Sequence, residues 1–366
     1  MTTDTACLHA DDSCTHKSAT GRAIRAAAMG ATEPVAMAYR APAQVAVRES
    51  AEAVPAAFRK PADVNGAQVL GYIRLLLARF VHWPSEAALD AVVLWIAMAA
   101  ARDNEGVPIW RALARLLLTS EKNGSGKSTV LDLIALVLHS RFGRMPSCTP
   151  RALAQILGRY HEVAILDEAQ TTFGTAKRSE DLRKAINAGY TRHANALAMS
   201  GGKADAVPVF GPVAMAGLDS LITDGADRLR DTLARSVIIR LDRAPVRMPE
   251  VDEDAEDAAR LIGNALTAWT SQAGPELIAE ARRLARAASE DDDLDAADIR
   301  DGGRYAQICR PMRACANIAG GRWPEAAQRV VEELAQTAVG GDKGESAMED
   351  LGAIMAAWGS EGTEWA

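Results

Sequence analysis

Asn123-Gly124-Ser125-Gly126-Lys127-Ser128-Thr129 follows the apolar run Ala112 to Leu118 and leads into a helical pattern from Lys127 to His139. A glycine turn between a strand and a helix is the setting in which a loop binds phosphate. Backbone N–H groups of the turn and of the helix N-terminus face the anion. Gly124 and Gly126 let that backbone approach closely, because neither carries a Cβ. Lys127 brings a positive charge to the phosphates, and the Ser128 hydroxyl is placed to ligate Mg²⁺. Asn123, Ser125 and Thr129 complete the nucleotide-binding set. The full pattern G-x-x-x-x-G-K-[ST] has glycine where this chain has Glu121, so the entry to the loop is shaped differently.

Forty residues on, Val163-Ala164-Ile165-Leu166-Asp167-Glu168 is an apolar strand ending in two carboxylates. Beside a phosphate loop, Asp167 binds the Mg²⁺ water shell, and Glu168 orients and deprotonates the attacking water. Lys127, Asp167 and Glu168 are thus the expected catalytic residues, with Ser128 and Asp167 at the metal. ATP and Mg²⁺ are the expected ligands.

Strands and helices alternate through the same region, the mark of a parallel sheet. Expected strands are Ala112–Leu118, Met145–Cys148, Val163–Leu166, Val213–Ala216 and Val237–Leu241. Expected helices are Lys127–His139, Pro150–Leu157, Ser179–Ala188 and Ala226–Ala234. The expected class is α/β, a P-loop fold with a five-strand, mainly parallel sheet spanning 105–250. Ahead of it, residues 65–104 pattern as two helices. Leu70, Ile73, Leu76, Leu77 and Phe80 recur at helical spacing, and Ser85 caps the second helix. Residues 251–366 read as all-helical, with helices at 256–269, 275–288, 305–319, 323–339 and 346–358. Residues 1–64, rich in Ala, Thr, Ser and Pro, read as a disordered leader. Within it Cys7, His9, Cys14 and His16 are zinc-type ligands at a spacing that is not a finger's, and the floppy tail is the favoured reading.

The whole chain of 366 residues is 48% hydrophobic and 24% charged, which excludes collagen-like and wholly disordered classes. Its net charge of −7 conceals an asymmetry, with 105–250 at +5 and 251–366 at −12. Any contact with a polyanion is therefore expected in the middle segment. The longest apolar run, Ala91 to Ala101, falls short of the ~20 residues of a membrane span. Five scattered cysteines make no disulfide framework. With no basic and apolar leader at the start, a cytoplasmic location is expected. Cys148, Cys309 and Cys315 read as small hydrophobes, and Trp95, Trp110 and Trp269 as core anchors.

The strand order (loop strand, strand, Asp-Glu strand, strand, strand) resembles that of the AAA+ ring ATPases. The Ala169-Gln170 that follows invites comparison with two-lobed Asp-Glu-Ala-Asp helicases, but no second lobe is present. The AAA+ resemblance implies a polar sensor after Val213–Ala216, for which Asp219 and Ser220 are candidates. It also implies an arginine finger reaching a neighbouring subunit. Arg235 is the first choice, with Arg228 and Arg230 in reserve, and Arg304 or Arg310 stands as a second sensor. The segment between Tyr190 and Pro212 reads as a hairpin about Gly201-Gly202. Some replicative helicases of that group carry a pore-lining hairpin here. On that resemblance Lys203 is the tip, with Arg192 and His193 near the base, as the DNA contact. A plain structural hairpin is the alternative.

More specifically, several stretches resemble the P-loop family catalogued as domain of unknown function 3631. Its members occur in actinobacteria, their phages and integrative elements. The stretches are Trp83-Pro-Ser-Glu-Ala-Ala-Leu-Asp90 with Leu94-Trp95, Leu117-Leu-Thr-Ser-Glu-Lys-Asn-Gly-Ser-Gly-Lys-Ser128 and Leu166-Asp-Glu-Ala169. They continue with Leu182-Arg-Lys-Ala-Ile-Asn-Ala-Gly-Tyr190, Phe210-Gly-Pro-Val-Ala-Met-Ala-Gly217, Arg235-Ser-Val-Ile-Ile-Arg240 and Ala319-Gly-Gly-Arg-Trp-Pro324. That resemblance implies a helicase-like ATPase. The leading expectation is a homo-oligomeric ring, such as a hexamer, moving on DNA in mobile-element replication. The alternatives are an ATP-driven switch or loader acting on a protein partner, phage-defence assemblies included, and a scaffold that binds nucleotide without turnover. No membrane partner is expected.

Overall fold

Leu116 and Leu118 face one hydrophobic core and Leu117, between them, faces another. Side chains alternate along a strand, so this sheet is covered on both sides. The computed structural model describes residues 65–173, 177–200, 203–223, 226–290 and 298–339. The leader, with Cys7, His9, Cys14 and His16, and the expected helix at 346–358 lie outside the described residues.

Two helices come first, α1 (Gly66–Phe80) and α2 (Glu86–Ala100). Asn65 and Ser85 cap them, each side chain accepting a backbone N–H of the first turn. Strand β1 (Arg115–Thr119) then leads through the glycine loop into α3 (Lys127–Val137). Next come β2 (Arg144–Met145), α4 (Pro150–Ala154) and a π-helical turn, Gln155–Arg159. A Cβ on Gly158 in that turn would overlap the Pro208 carbonyl, so glycine is what lets the two backbones meet. Strand β3 (Ala164–Leu166), α5 (Ala169–Thr172) and α6 (Lys177–Ala188) follow. A hairpin, β4 (Asn195–Ser200) and β5 (Lys203–Pro208), stands apart from the main sheet. The core then closes with β6 (Val213–Ala216), α7 (Ser220–Thr223), α8 (Ala226–Leu233) and β7 (Ser236–Arg240).

The five strands run parallel in the order β2-β3-β6-β1-β7. All five fall within three residues of the expected bounds. On one face Leu117, Leu166 and Met215 pack with Leu153, Phe173, Leu182 and Ile186. On the other, Leu116, Ile165, Ala214 and Val237 pack with α3 and with a large helical layer.

That layer is built from both ends of the chain. Helices α9 (Glu253–Gln272), α10 (Gly274–Glu290), α11 (Asp298–Ala319) and α12 (Trp323–Val339) follow the sheet. Helix α2, buried along almost its whole length, packs against α1, α9, α11 and α12. The changes at 104 and 250 are thus changes of element type within one continuous core. Trp95, Trp110 and Trp269 are buried there, and Trp95 donates to the Ala114 carbonyl at 2.8 Å, tying α2 to the start of β1. Cys309 and Cys315 are buried as expected of small hydrophobes, and burial pushes the Cys315 thiol pKa up.

Helix α9 meets α3 at Gly263, where a Cβ would overlap the Val137 carbonyl. Gly263→Ala is expected to cost about 1–3 kcal/mol by forcing the two backbones apart. Urea unfolding of the variant beside the wild type measures it. An unchanged midpoint would mean that the two helices slide freely.

Candidate functional site

The carboxyl ends of β1, β3, β6 and β7 open on one cleft of about 1370 Å³. In an open parallel sheet this is where ligands bind, at the point where strand order reverses. Here the reversal falls at β1, which lies between β6 and β7.

Hydrogen bonds beyond each strand carry the ladder into the loops. Gly217 N–H donates to the Leu118 carbonyl (2.9 Å), Asp219 N–H to Ser120 (2.9 Å) and Leu241 N–H to Thr119 (2.7 Å). Asp167 N–H donates to the Met145 carbonyl (2.7 Å). The strand ends are therefore fixed relative to one another before any side chain is considered.

Residues Asn123 to Thr129 line the cleft. Gly124 (φ 83°) and Gly126 (φ 90°) take the left-handed conformation that favours glycine. Gly126 also occupies the N-cap of α3. Lys127 bends back into the loop, its Nζ donating to Ser120 Oγ and, at 3.4 Å, to Ser125 Oγ. Burial lowers the Lys127 pKa, and the negative charges of Asp167 and Asp219 oppose that shift. Ser128 Oγ donates to Asp167 Oδ2 at 3.1 Å, joining the loop to the end of β3. The loop thus offers a glycine cradle at a helix N-terminus with a cation across it. Ser128 and Asp167 offer hard oxygen donors at a common point, a set suited to a phosphate with Mg²⁺.

Glu168 is exposed at the rim of the same cleft. Its φ is 51°, and a non-glycine residue in that region costs about 1–3 kcal/mol. The Glu168 N–H donates to Asp167 Oδ1 (2.9 Å), so the two acids brace one another through the backbone.

Several residues in or beside the cleft sit outside the phosphate-loop and Asp-Glu motifs. Arg144, from β2, pairs with Asp132 Oδ1 (2.8 Å) and with Asp167 Oδ2 (2.6 Å). Those bonds, Asp132 first, raise its pKa further. Asp219, a sensor candidate, pairs with Arg240 at 2.8 Å. Gln170 lines the cleft, and its Oε1 is buried without a hydrogen-bond partner among the described residues. The far wall combines Phe80, Val81 and His82 after α1 with the 243–251 segment after β7. Those stretches lie far from the loop in sequence, and no motif signals them.

Other expected site residues lie elsewhere. Arg235 turns inward. Its guanidinium sits 4.9 Å from the Tyr190 ring centroid and pairs with Asp231 at 3.1 Å, with the side chain 13% exposed. Arg230 is exposed on α8. Arg192 donates to the Trp110 carbonyl (3.1 Å) and to the Pro108 carbonyl, and so anchors the hairpin base. His193 is exposed. Lys203 opens β5 opposite Ser200, while Gly201-Gly202 lies outside the described residues, as do the side chains of Lys203, Arg228 and Arg304. Burial lowers the Arg310 pKa.

No family model and no curated protein matches this chain. Among solved structures it is similar to Cch of SCCmec type IV, described as an active helicase, at 15% identity and a TM-score of 0.39. The match covers 67% of this chain and 48% of that one, so the chain spans about half the length of that helicase. Among the described residues no helix is long and apolar enough to cross a membrane.

Proposed function

We propose that the chain is a Mg²⁺-dependent ATPase with an AAA+-like P-loop core, working as a ring-forming, helicase-like motor on DNA in a mobile element. The observation that carries the ATPase reading is the 3.1 Å bond from Ser128 to Asp167 beside Lys127. It joins a loop hydroxyl and a strand-end carboxylate, separated by 39 residues, at one point in the cleft.

The loop amides and Lys127 bind the β- and γ-phosphates, and Ser128 and Asp167 hold the metal. Mg²⁺ bound there supplies positive charge against the phosphate oxygens. Glu168 takes a proton from a water whose oxygen attacks the γ-phosphorus, and the bond to the β–γ bridging oxygen breaks. The base of the nucleotide lies against Phe80, Val81 and the 243–251 segment, the less polar wall of the cleft. For an arginine acting on a neighbour's site, Arg230 is the better placed, because it is exposed where Arg235 is held by Tyr190 and Asp231.

The test is ATP hydrolysis with and without single-stranded DNA. DNA is expected to raise turnover several-fold, and Lys203→Ala to remove that rise while leaving basal turnover in place. Hydrolysis that ignores DNA sinks the motor reading and leaves the switch acting on a protein partner. One observation favours that second reading. Both donors described for Arg192 are engaged by carbonyls, which commits those N–H groups to the fold and not to a phosphate.

A further inference from the structure

We propose that Arg144 is a cationic latch on the metal-binding carboxylate, competing with Mg²⁺ for Asp167 and so setting how much metal the site needs before it holds nucleotide tightly. This rests on the ATPase reading above.

Arg144 opens β2, the edge strand of the sheet, in register with Ile165 of β3. The next pair, Met145 and Leu166, brings the end of β2 beside Asp167. From there the guanidinium spans two elements, Nε on Asp132 of α3 and Nη1 on Asp167 after β3. Asp132 lies four residues after Ser128, on the same face of α3. Ser128, Asp132, Asp167 and Arg144 thus form one cluster at the cleft, and Asp132 and Asp167 both line it.

The decisive point is one atom. Asp167 Oδ2 accepts from Arg144 at 2.6 Å and from Ser128 at 3.1 Å. The same oxygen lies beside Ser128 Oγ, where the metal or its water shell would sit. A guanidinium and a divalent cation repel each other across a shared carboxylate, so metal binding at Asp167 weakens the Arg144 contact, and the Arg144 contact weakens metal binding. Arg144 is 36% exposed on its side chain and has room to move outward. Asp132 holds its Nε independently, so release from Asp167 leaves the arginine tethered at the rim. The latch thereby neutralises Asp167 while the site is without metal and yields when metal arrives with the nucleotide.

The test is binding of a fluorescent ATP analogue by the full chain across a Mg²⁺ titration. Wild type, Arg144→Ala and Arg144→Lys are compared, with Arg151→Ala, an exposed arginine on α4, as the control for lost charge. The Mg²⁺ concentration for half-maximal tight binding is expected to fall about fivefold in Arg144→Ala, the scale of a partly exposed ion pair. Arg144→Lys should lie between, and Arg151→Ala should match wild type. If alanine does not fold, Arg144→Gln keeps the stem and repeats the comparison. A purely structural arginine would leave the midpoint unchanged or raise it, and either result overturns the latch while leaving the ATPase reading intact. An equal fall in Arg151→Ala also overturns it, because bulk charge then explains the shift. Failure of the wild type to bind the analogue at any Mg²⁺ concentration overturns both.

Discussion

Glu168→Gln is expected to lower ATP turnover by about 10²–10⁴-fold, the scale of a lost general base. Nucleotide affinity should stay near that of the wild type. Glutamine matches glutamate in size, so the left-handed backbone at 168 and the brace from its N–H to Asp167 are kept. Only the proton acceptor is lost. Lys127→Ala gives the contrasting pattern. It removes the ammonium that crosses the loop to Ser120 and Ser125, so binding and turnover should fall together. A fluorescent ATP analogue reads affinity and phosphate release reads turnover. If Glu168→Gln hydrolyses ATP at more than about a tenth of the wild-type rate, Glu168 is not the base. The exposed Glu168 would then be an acid at the rim whose strained backbone serves something other than catalysis.

The parts of the site that sequence displays are those whose function is local. The glycine loop needs small residues at fixed spacing between a strand and a helix, and Gly124 and Gly126 take the positive φ that such a loop demands. Asp167 ends a continuous apolar run, so the break in that run finds it. The places of β1, β3, β6 and β7 along the chain were also legible, because each is a short apolar run. Arg144 was not, since its role depends on β2 lying beside β3, and two residues of edge strand carry little pattern. The wall formed by Phe80 to His82 and the 243–251 segment joins residues more than 160 positions apart. Arg192 and Arg235 show the converse. A basic residue at an expected position was legible, yet its partners, the Pro108 and Trp110 carbonyls in one case and Tyr190 with Asp231 in the other, come from packing.

The helical layer holds an interaction of the same non-local kind, and Asp90→Ala is expected to cost about 3 kcal/mol. Asp90 is fully buried in α2. It accepts from Arg74 of α1 at 2.9 Å and from both terminal nitrogens of Arg322 at 3.0 and 2.8 Å. Arg322 is 232 residues away and follows the turn Gly320-Gly321, whose positive φ values (71° and 60°) end α11 and start α12. Three helical segments therefore meet on one carboxylate. Removing it leaves the two arginines facing each other with only the exposed Glu86, at 3.6 and 3.8 Å, as counter-charge. Both keep some exposure, Arg74 at 16% and Arg322 at 39%, so water relieves part of the loss and the lower end of the usual range applies. The expected fall in Tm is about 6–10 °C for a core of this size. Asp90→Leu with Arg74→Met and Arg322→Met should recover part of it, because apolar replacement of a whole buried ionic cluster is often neutral. A fall below about 2 °C in Asp90→Ala would mean that the cluster contributes no more than a surface pair, and that apolar packing alone joins α1 and α2 to α11 and α12.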